Sequence, residues 1–216
     1  PAPWANMENW ENEGVLWVSA DSLSMPFLAV ANRDTGDTFV KAWEPTGFWE
    51  RIRVWSFGVA AEKNRAANRA VSMNGYIEDM ALEDGETLEF ATYFYAVPDA
   101  LHVDAADAQF TAGFETGADA YGADEEIAAS LTLGASKVYE GLTLKVAVAD
   151  GSGNSVAELG SIEAATVAPS VPYRGAWVGT AADWGLSAGE YSLSLQVVDA
   201  SGEAVFQALS GSFMVQ

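Results

Sequence analysis

The sequence predicts an all-β protein made of two consecutive β-sandwich modules, and three observations predict it. Short runs of β-branched and aromatic residues recur along the chain, separated by Gly, Asn, Asp and Ser. In the later runs apolar and polar residues alternate with period two, the mark of a strand with one buried face. Composition also shifts part-way. Six of the eight Trp (4, 10, 17, 43, 49, 55) and seven of the ten basic residues precede residue 100, whereas residues 101–216 carry fifteen acids against Lys137, Lys145 and Arg174. The expected modules are therefore residues 1–100, rich in aromatics, and 101–216. Their seam is expected between Pro98 and Asp107, where Tyr93-Phe94-Tyr95 gives way to Ala- and Asp-rich sequence.

In the first module the strand-like runs are 14–19, 25–31, 38–43, 52–57, 75–80 and 87–97. The segments Asn32-Arg33-Asp34-Thr35-Gly36-Asp37 and Glu83-Asp84-Gly85-Glu86 supply the residues that tight β-turns require. Residues 59–71 are Ala-rich with a polar, Asn-containing middle and no apolar stripe, which reads as a long loop or a short helix. In the second module the runs are 126–133, 142–149, 155–161, 175–179, 189–199 and 204–215. Leu142, Leu144, Val146 and Val148 alternate with Thr143, Lys145, Ala147 and Ala149, and Tyr191, Leu193, Leu195 and Val197 repeat the pattern. Asp150 to Asn154 and Asp199 to Gly202 read as turns between successive strands.

The charge inventory excludes whole classes of function. The chain has 31 Asp plus Glu against 10 Lys plus Arg, a formal net charge of −21. Such a chain cannot supply the clustered cations that bind nucleic acid, and it is repelled by anionic membranes. No apolar run approaches the roughly 20 residues needed to cross a bilayer, so no membrane insertion is expected. There is no Cys and one His, which removes thiolate chemistry and any reaction that needs two imidazoles. No P-loop, dinucleotide fingerprint or G-x-S-x-G elbow is present.

Two stretches carry family resemblances. Gly189, Tyr191, Leu193, Val197, Asp199 and Gly202, followed by Phe213-Met214-Val215, are similar to the G-x-Y-x-L-x-x-x-V-x-D-x-x-G pattern and final F-x-V strand of bacterial immunoglobulin-like modules. That resemblance implies a sandwich over about 95 residues and no particular activity. In the first module, Thr38 to Trp43, Ile52 to Trp55, Gly75 to Leu82 and the Leu82-Glu83-Asp84-Gly85-Glu86 turn resemble the C-terminal part of galactose-mutarotase-like β-supersandwich proteins. The resemblance implies that Glu78 occupies the position of the sugar-directed catalytic base. The family's acid is a His from a first half that this chain lacks, and His102 lies after the last strand of the match.

Two features bear on function without the resemblances. Glu78 and Asp79 are consecutive acids in an apolar run, so one of them faces inward if the run is a strand. An inward carboxylate is a general base, a ligand acceptor, or the partner of Arg53 or Lys41 across the sheet. Trp43, Phe48, Trp49 and Trp55 surround the Pro45-Thr46-Gly47 turn with Glu44, Glu50, Arg51 and Arg53 interleaved. Aromatic faces stack on sugar C–H faces while charged groups bond hydroxyls, so Trp43, Phe48, Trp49, Arg53, Trp55 and Glu78 form the expected ligand-binding set. The expectation is a noncatalytic carbohydrate-interacting protein, secreted or at the cell surface, whose partner is a carbohydrate or cell-surface glycan. The alternatives are part of a sugar-processing epimerase, hydrolase or lyase completed by upstream sequence, and a structural subunit that self-associates through β-strand edges. No cofactor is expected, apart from Ca²⁺ at the acids near the seam: Asp104, Asp107, Asp119, Asp124, Glu125 and Glu126.

Overall fold

The computed structural model describes residues 14–19, 25–32, 34–44, 51–57, 70–76, 80–100 and 102–216, with the backbone alone at 14–19, 51–57 and 70–76. These residues form fifteen strands and no helix: β1 (Gly14–Ser19), β2 (Phe27–Ala31), β3 (Thr38–Trp43), β4 (Arg51–Phe57), β5 (Ala70–Tyr76), β6 (Thr92–Val97), β7 (Ala105–Ala106), β8 (Phe110–Thr116), β9 (Ala120–Tyr121), β10 (Glu126–Ala135), β11 (Tyr139–Asp150), β12 (Ser155–Val167), β13 (Tyr173–Thr180), β14 (Gly189–Val198) and β15 (Ala204–Val215). The protein is all-β.

The chain divides into two compact units, Pro1–Leu28 with Trp43–Ala91, and Ala29–Ala42 with Thr92–Gln216. The expected seam at 98–107 does not coincide with this division, because 29–42 and 92–100 count with the C-terminal residues. Side chains explain why. Val97 packs so closely over Gly134 that a Cβ there would lie 2.5 Å from both Val97 methyls. The Tyr95 hydroxyl reaches the carbonyls of Phe110 and Asp107 at 2.8 and 2.9 Å. It also accepts from the Thr111 hydroxyl at 2.6 Å.

In the first unit β1, β4 and β5 form an antiparallel sheet in the order β1-β4-β5. Of the strand expected at 75–80, Gly75 and Tyr76 belong to β5, which starts at Ala70 and pairs with β4 through Arg51↔Tyr76; residues 77–79 lie outside the described residues. The expected loop or helix at 59–71 lies outside the described residues except at 70–71, which are strand. The turn at 83–86 forms as expected: Gly85 takes φ +88° and the Glu86 amide donates to the Glu83 carbonyl at 3.0 Å.

The second unit holds two facing sheets and most of a smaller one of order β2-β3-β6. One large sheet has the order β13-β10-β8-β7 and the other β12-β11-β14-β15-β9. They enclose a core of fully buried Phe110, Ile127, Leu131, Leu133, Leu144, Val146, Leu193, Leu195 and Phe213. Phe110 of β8 meets Tyr139 and Phe206 of the opposite sheet at ring-centroid distances of 4.6 and 5.7 Å. The alternation expected for β11 and β14 is realised, with Leu142, Leu144, Val146 and Val148 inside; Ala149 is also buried.

Strand order makes this sandwich immunoglobulin-like. The first, second and fifth long strands (β8, β10, β13) share one sheet, while the third, fourth, sixth and seventh lie as β12-β11-β14-β15 in the other. Short β9 switches sheets to run parallel to the end of β15, pairing Ala120 with Met214 and Tyr121 with Val215. At the corner before β14, the Tyr191 hydroxyl donates to the Ser187 carbonyl at 3.0 Å, the tyrosine corner of such sandwiches.

Candidate functional site

The sheet formed by β2, β3 and β6 presents the described surface with the most binding chemistry. Along β3, Thr38, Val40 and Ala42 are buried, so Phe39 and Lys41 fall on the opposite face. Along β6, Tyr95 and Val97 are buried and Phe94 points away. The two outward rings pair, with centroids 6.0 Å apart and planes tilted by 34°. The Lys41 ammonium lies over Phe94, 5.4 Å from its centroid, a cation–π geometry. Partial burial pulls the Lys41 pKa below its usual value. Phe39 is 44% exposed and Phe94 57%, so both side chains are solvent-accessible.

The inner side of this sheet holds the strip in place. The Thr38 hydroxyl donates to the Ala100 carbonyl, and the Tyr95 hydroxyl joins the Thr111, Phe110 and Asp107 network. Burial of Tyr95 pushes its phenol pKa up, so it stays a neutral hydrogen-bonding group. The β2–β3 loop closes tightly: the Asn32 amide donates to the Asp37 carbonyl at 2.7 Å, and Gly36 takes φ +81°.

Of the residues singled out from sequence, the structure describes Trp43 in full and Arg53 and Trp55 by their backbone. Trp43 ends β3 and is only 8% exposed, so it is a packed side chain rather than an open stacking platform. Arg53 and Trp55 lie on β4, where Arg53 is in register with Trp17 and Asn74, and Trp55 with Val15 and Ser72. Phe48, Trp49 and Glu78 lie outside the described residues, and so does the pairing of Glu78 with Arg53 or Lys41.

Three of the six acids near the expected seam bond backbone amides. Asp107 accepts from the amides of Gln109 and Phe110 at 2.7 and 2.8 Å, and burial raises its pKa. Asp104 accepts from the Phe114 amide at 2.7 Å and bonds His102 Nε2 at 3.0 Å. Glu125 caps the turn at the Gly122 amide, 2.9 Å away. Among the described residues no group of three His, Asp or Glu side chains comes together to hold a metal ion. The hydrogen bond to Asp104 raises the His102 pKa, and through Asp104 the pair is tied to the Phe114 amide.

A second aromatic group was not singled out from sequence. Tyr173, Trp177 and Trp184 are half-buried at the β13 side of the sandwich. Tyr173, Gly175, Trp177 and Gly179 pair with the buried Leu133, Leu131, Ala129 and Ile127 of β10, so they share its inner face. A Cβ at Gly175 would lie 2.5 Å from the Trp177 ring and one at Gly179 2.5 Å from the Trp184 ring. Each indole thus lies down over a glycine. Across the gap the Trp177 nitrogen approaches the Cβ position of Gly160 on β12 to 3.4 Å. The legible signal was Gly-x-Trp-x-Gly on one strand face. Phe39 and Phe94 were also legible as alternating outward positions, and the Trp-rich turn nearby drew attention from them.

No protein-family model and no curated protein matches the chain. Among solved structures it is similar to the CARDB domain of the PF1109 protein from Pyrococcus furiosus, crystallised in complex with di-metal ions. The likeness has 11% sequence identity and a TM-score of 0.37, and covers 50% of this chain and 87% of that one. At that level of similarity the immunoglobulin-like assignment rests on the chain's own strand order and tyrosine corner.

Proposed function

We propose that the protein is a noncatalytic, carbohydrate-interacting β-sandwich protein, secreted or displayed at a cell surface. The observation that carries this reading is the Phe39–Phe94 pair with Lys41 beside it, held outward by a sheet whose inner face is hydrogen-bonded and packed. A pyranose ring offers an apolar C–H face that an exposed aromatic can cover, and a lysine ammonium can donate to a hydroxyl or a sugar carboxylate. Titration calorimetry against neutral and acidic oligosaccharides tests the reading. Saturable binding that weakens about five- to tenfold in Phe94→Ala is the expected result, the scale of one aromatic contact. Absence of saturable heat with every sugar would overturn it.

A further inference from the structure

We infer that the free edge of β13 is a self-association surface, through which a second copy of this chain pairs antiparallel to extend the sheet β7-β8-β10-β13 across a two-fold axis. Exposed strand edges attract other strands, and sandwiches usually defend them. The other edges of the two large sheets are short or irregular. β12 pairs with β11 through four register shifts and carries Glu158 and Glu163. β7 and β9 are two residues each, and β15 is covered at Met214 and Val215 by β9 and broken by two register shifts elsewhere. β13 is different. It pairs with β10 in eight consecutive registers with no shift, and among the described residues no strand lies on its other side.

Charge argues that the occupant is a second copy. Residues 164–182 contain no Asp or Glu, the longest such run in a chain with 31 acids, and Arg174 is its one charged residue. Arg174 is itself held at one end by Asp99 and the Pro98 carbonyl, at 3.2 and 3.1 Å. Two chains of net charge −21 repel over most approaches, whereas β13 itself carries no carboxylate and the two bonded to it, Asp99 on Arg174 and Asp183 on Thr180, lie toward its ends. Between these charged ends the strand and its flank are aromatic and apolar, the composition of an interface centre: half-buried Trp177 and Trp184, exposed Val171, Ala176 and Val178. Antiparallel pairing about a two-fold axis makes the edge its own complement, and inner faces stay on one side when the axis passes through residue 176 or 177.

The test is sedimentation of the whole chain across salt concentration. Because remote carboxylates oppose association, screening should strengthen it: the Debye length falls from about 10 Å at 0.1 M salt to about 3 Å at 1 M. The expected result is a rise toward twice the monomer mass as salt increases, abolished in Val178→Lys and in Ala176→Lys. Both positions are exposed on the outer face, so either variant tests the edge if the other fails to fold. Leu209→Lys, on exposed β15, should leave the doubling intact. A chain monomeric at every salt concentration, doubling that persists in both β13 variants, or loss of doubling in Leu209→Lys would each overturn the inference.

Discussion

Gly113 has no room for a side chain, because a Cβ there would lie 1.9 Å from the His102 carbonyl oxygen, and a backbone atom cannot swing aside. Gly113→Ala should therefore cost about 1–3 kcal/mol, measured by urea unfolding. At Gly134 the obstruction is the Val97 side chain, whose branched Cβ limits escape. Gly134→Ala should destabilise too, and less so in a Val97→Ala background than in the wild type, a coupling that a double-mutant cycle reads. His102 adds a pH signature. Its hydrogen bond to Asp104 raises its folded-state pKa above the usual 6.5, so the folded state holds the proton more tightly than the unfolded chain. That contribution is complete below the unfolded value and is lost as pH rises through the folded one. The Tm difference between wild type and His102→Ala should be widest below about pH 6 and narrow as pH rises beyond it; a difference independent of pH would contradict this.

The hairpins of the sandwich were readable because their turns use side chains that bond their own backbone. Asp150-Gly-Ser-Gly-Asn154 and Asp199-Ala-Ser-Gly-Glu203 are the same device used twice. In each, the aspartate amide donates to the carbonyl four residues on, its carboxylate accepts amides two and four residues on, and the glycine takes positive φ. The Asn154 amide at Asp150 and the Ser201 hydroxyl at Asp199 hold both carboxylates below their usual pKa. The stability they confer is present above the usual carboxylate value and lost as pH falls through the folded one. Asp150→Ala and Asp199→Ala should lower Tm at neutral pH, with the deficit shrinking in acid. Tyr191→Phe should cost about 0.5–1.5 kcal/mol by removing the bond to Ser187. β8 escaped the sequence reading for a physical reason. Residues 110–114 are buried on both faces, with Thr111 bonded to Tyr95 and Gly113 under His102, so Phe-Thr-Ala-Gly-Phe shows no alternation. β7 and β9, at two residues each, are too short to carry a period.

At the scale of the molecule, the all-β class and the long strands of the sandwich were legible because their faces differ in burial, and period-two patterning records that difference. The division into units was not. Composition changes near residue 100, yet 29–42 and 92–100 are committed to the C-terminal unit by contacts between residues distant in sequence, such as Val97 on Gly134 and Thr38 with Ala100. Of the residues read from sequence as a binding set, Phe48, Trp49 and Glu78 lie outside the described residues. Trp43 drew the eye as a large aromatic but is buried, whereas Phe39 and Phe94 gain meaning only when β3 and β6 become neighbours in one sheet. The most direct test of the central claim is an amide chemical-shift titration of the whole chain with the oligosaccharide that binds most tightly. Saturable shifts should concentrate at residues 38–43 and 92–97 and disappear in Phe39→Ala/Phe94→Ala. Shifts centred elsewhere, or none with any sugar, would contradict the account.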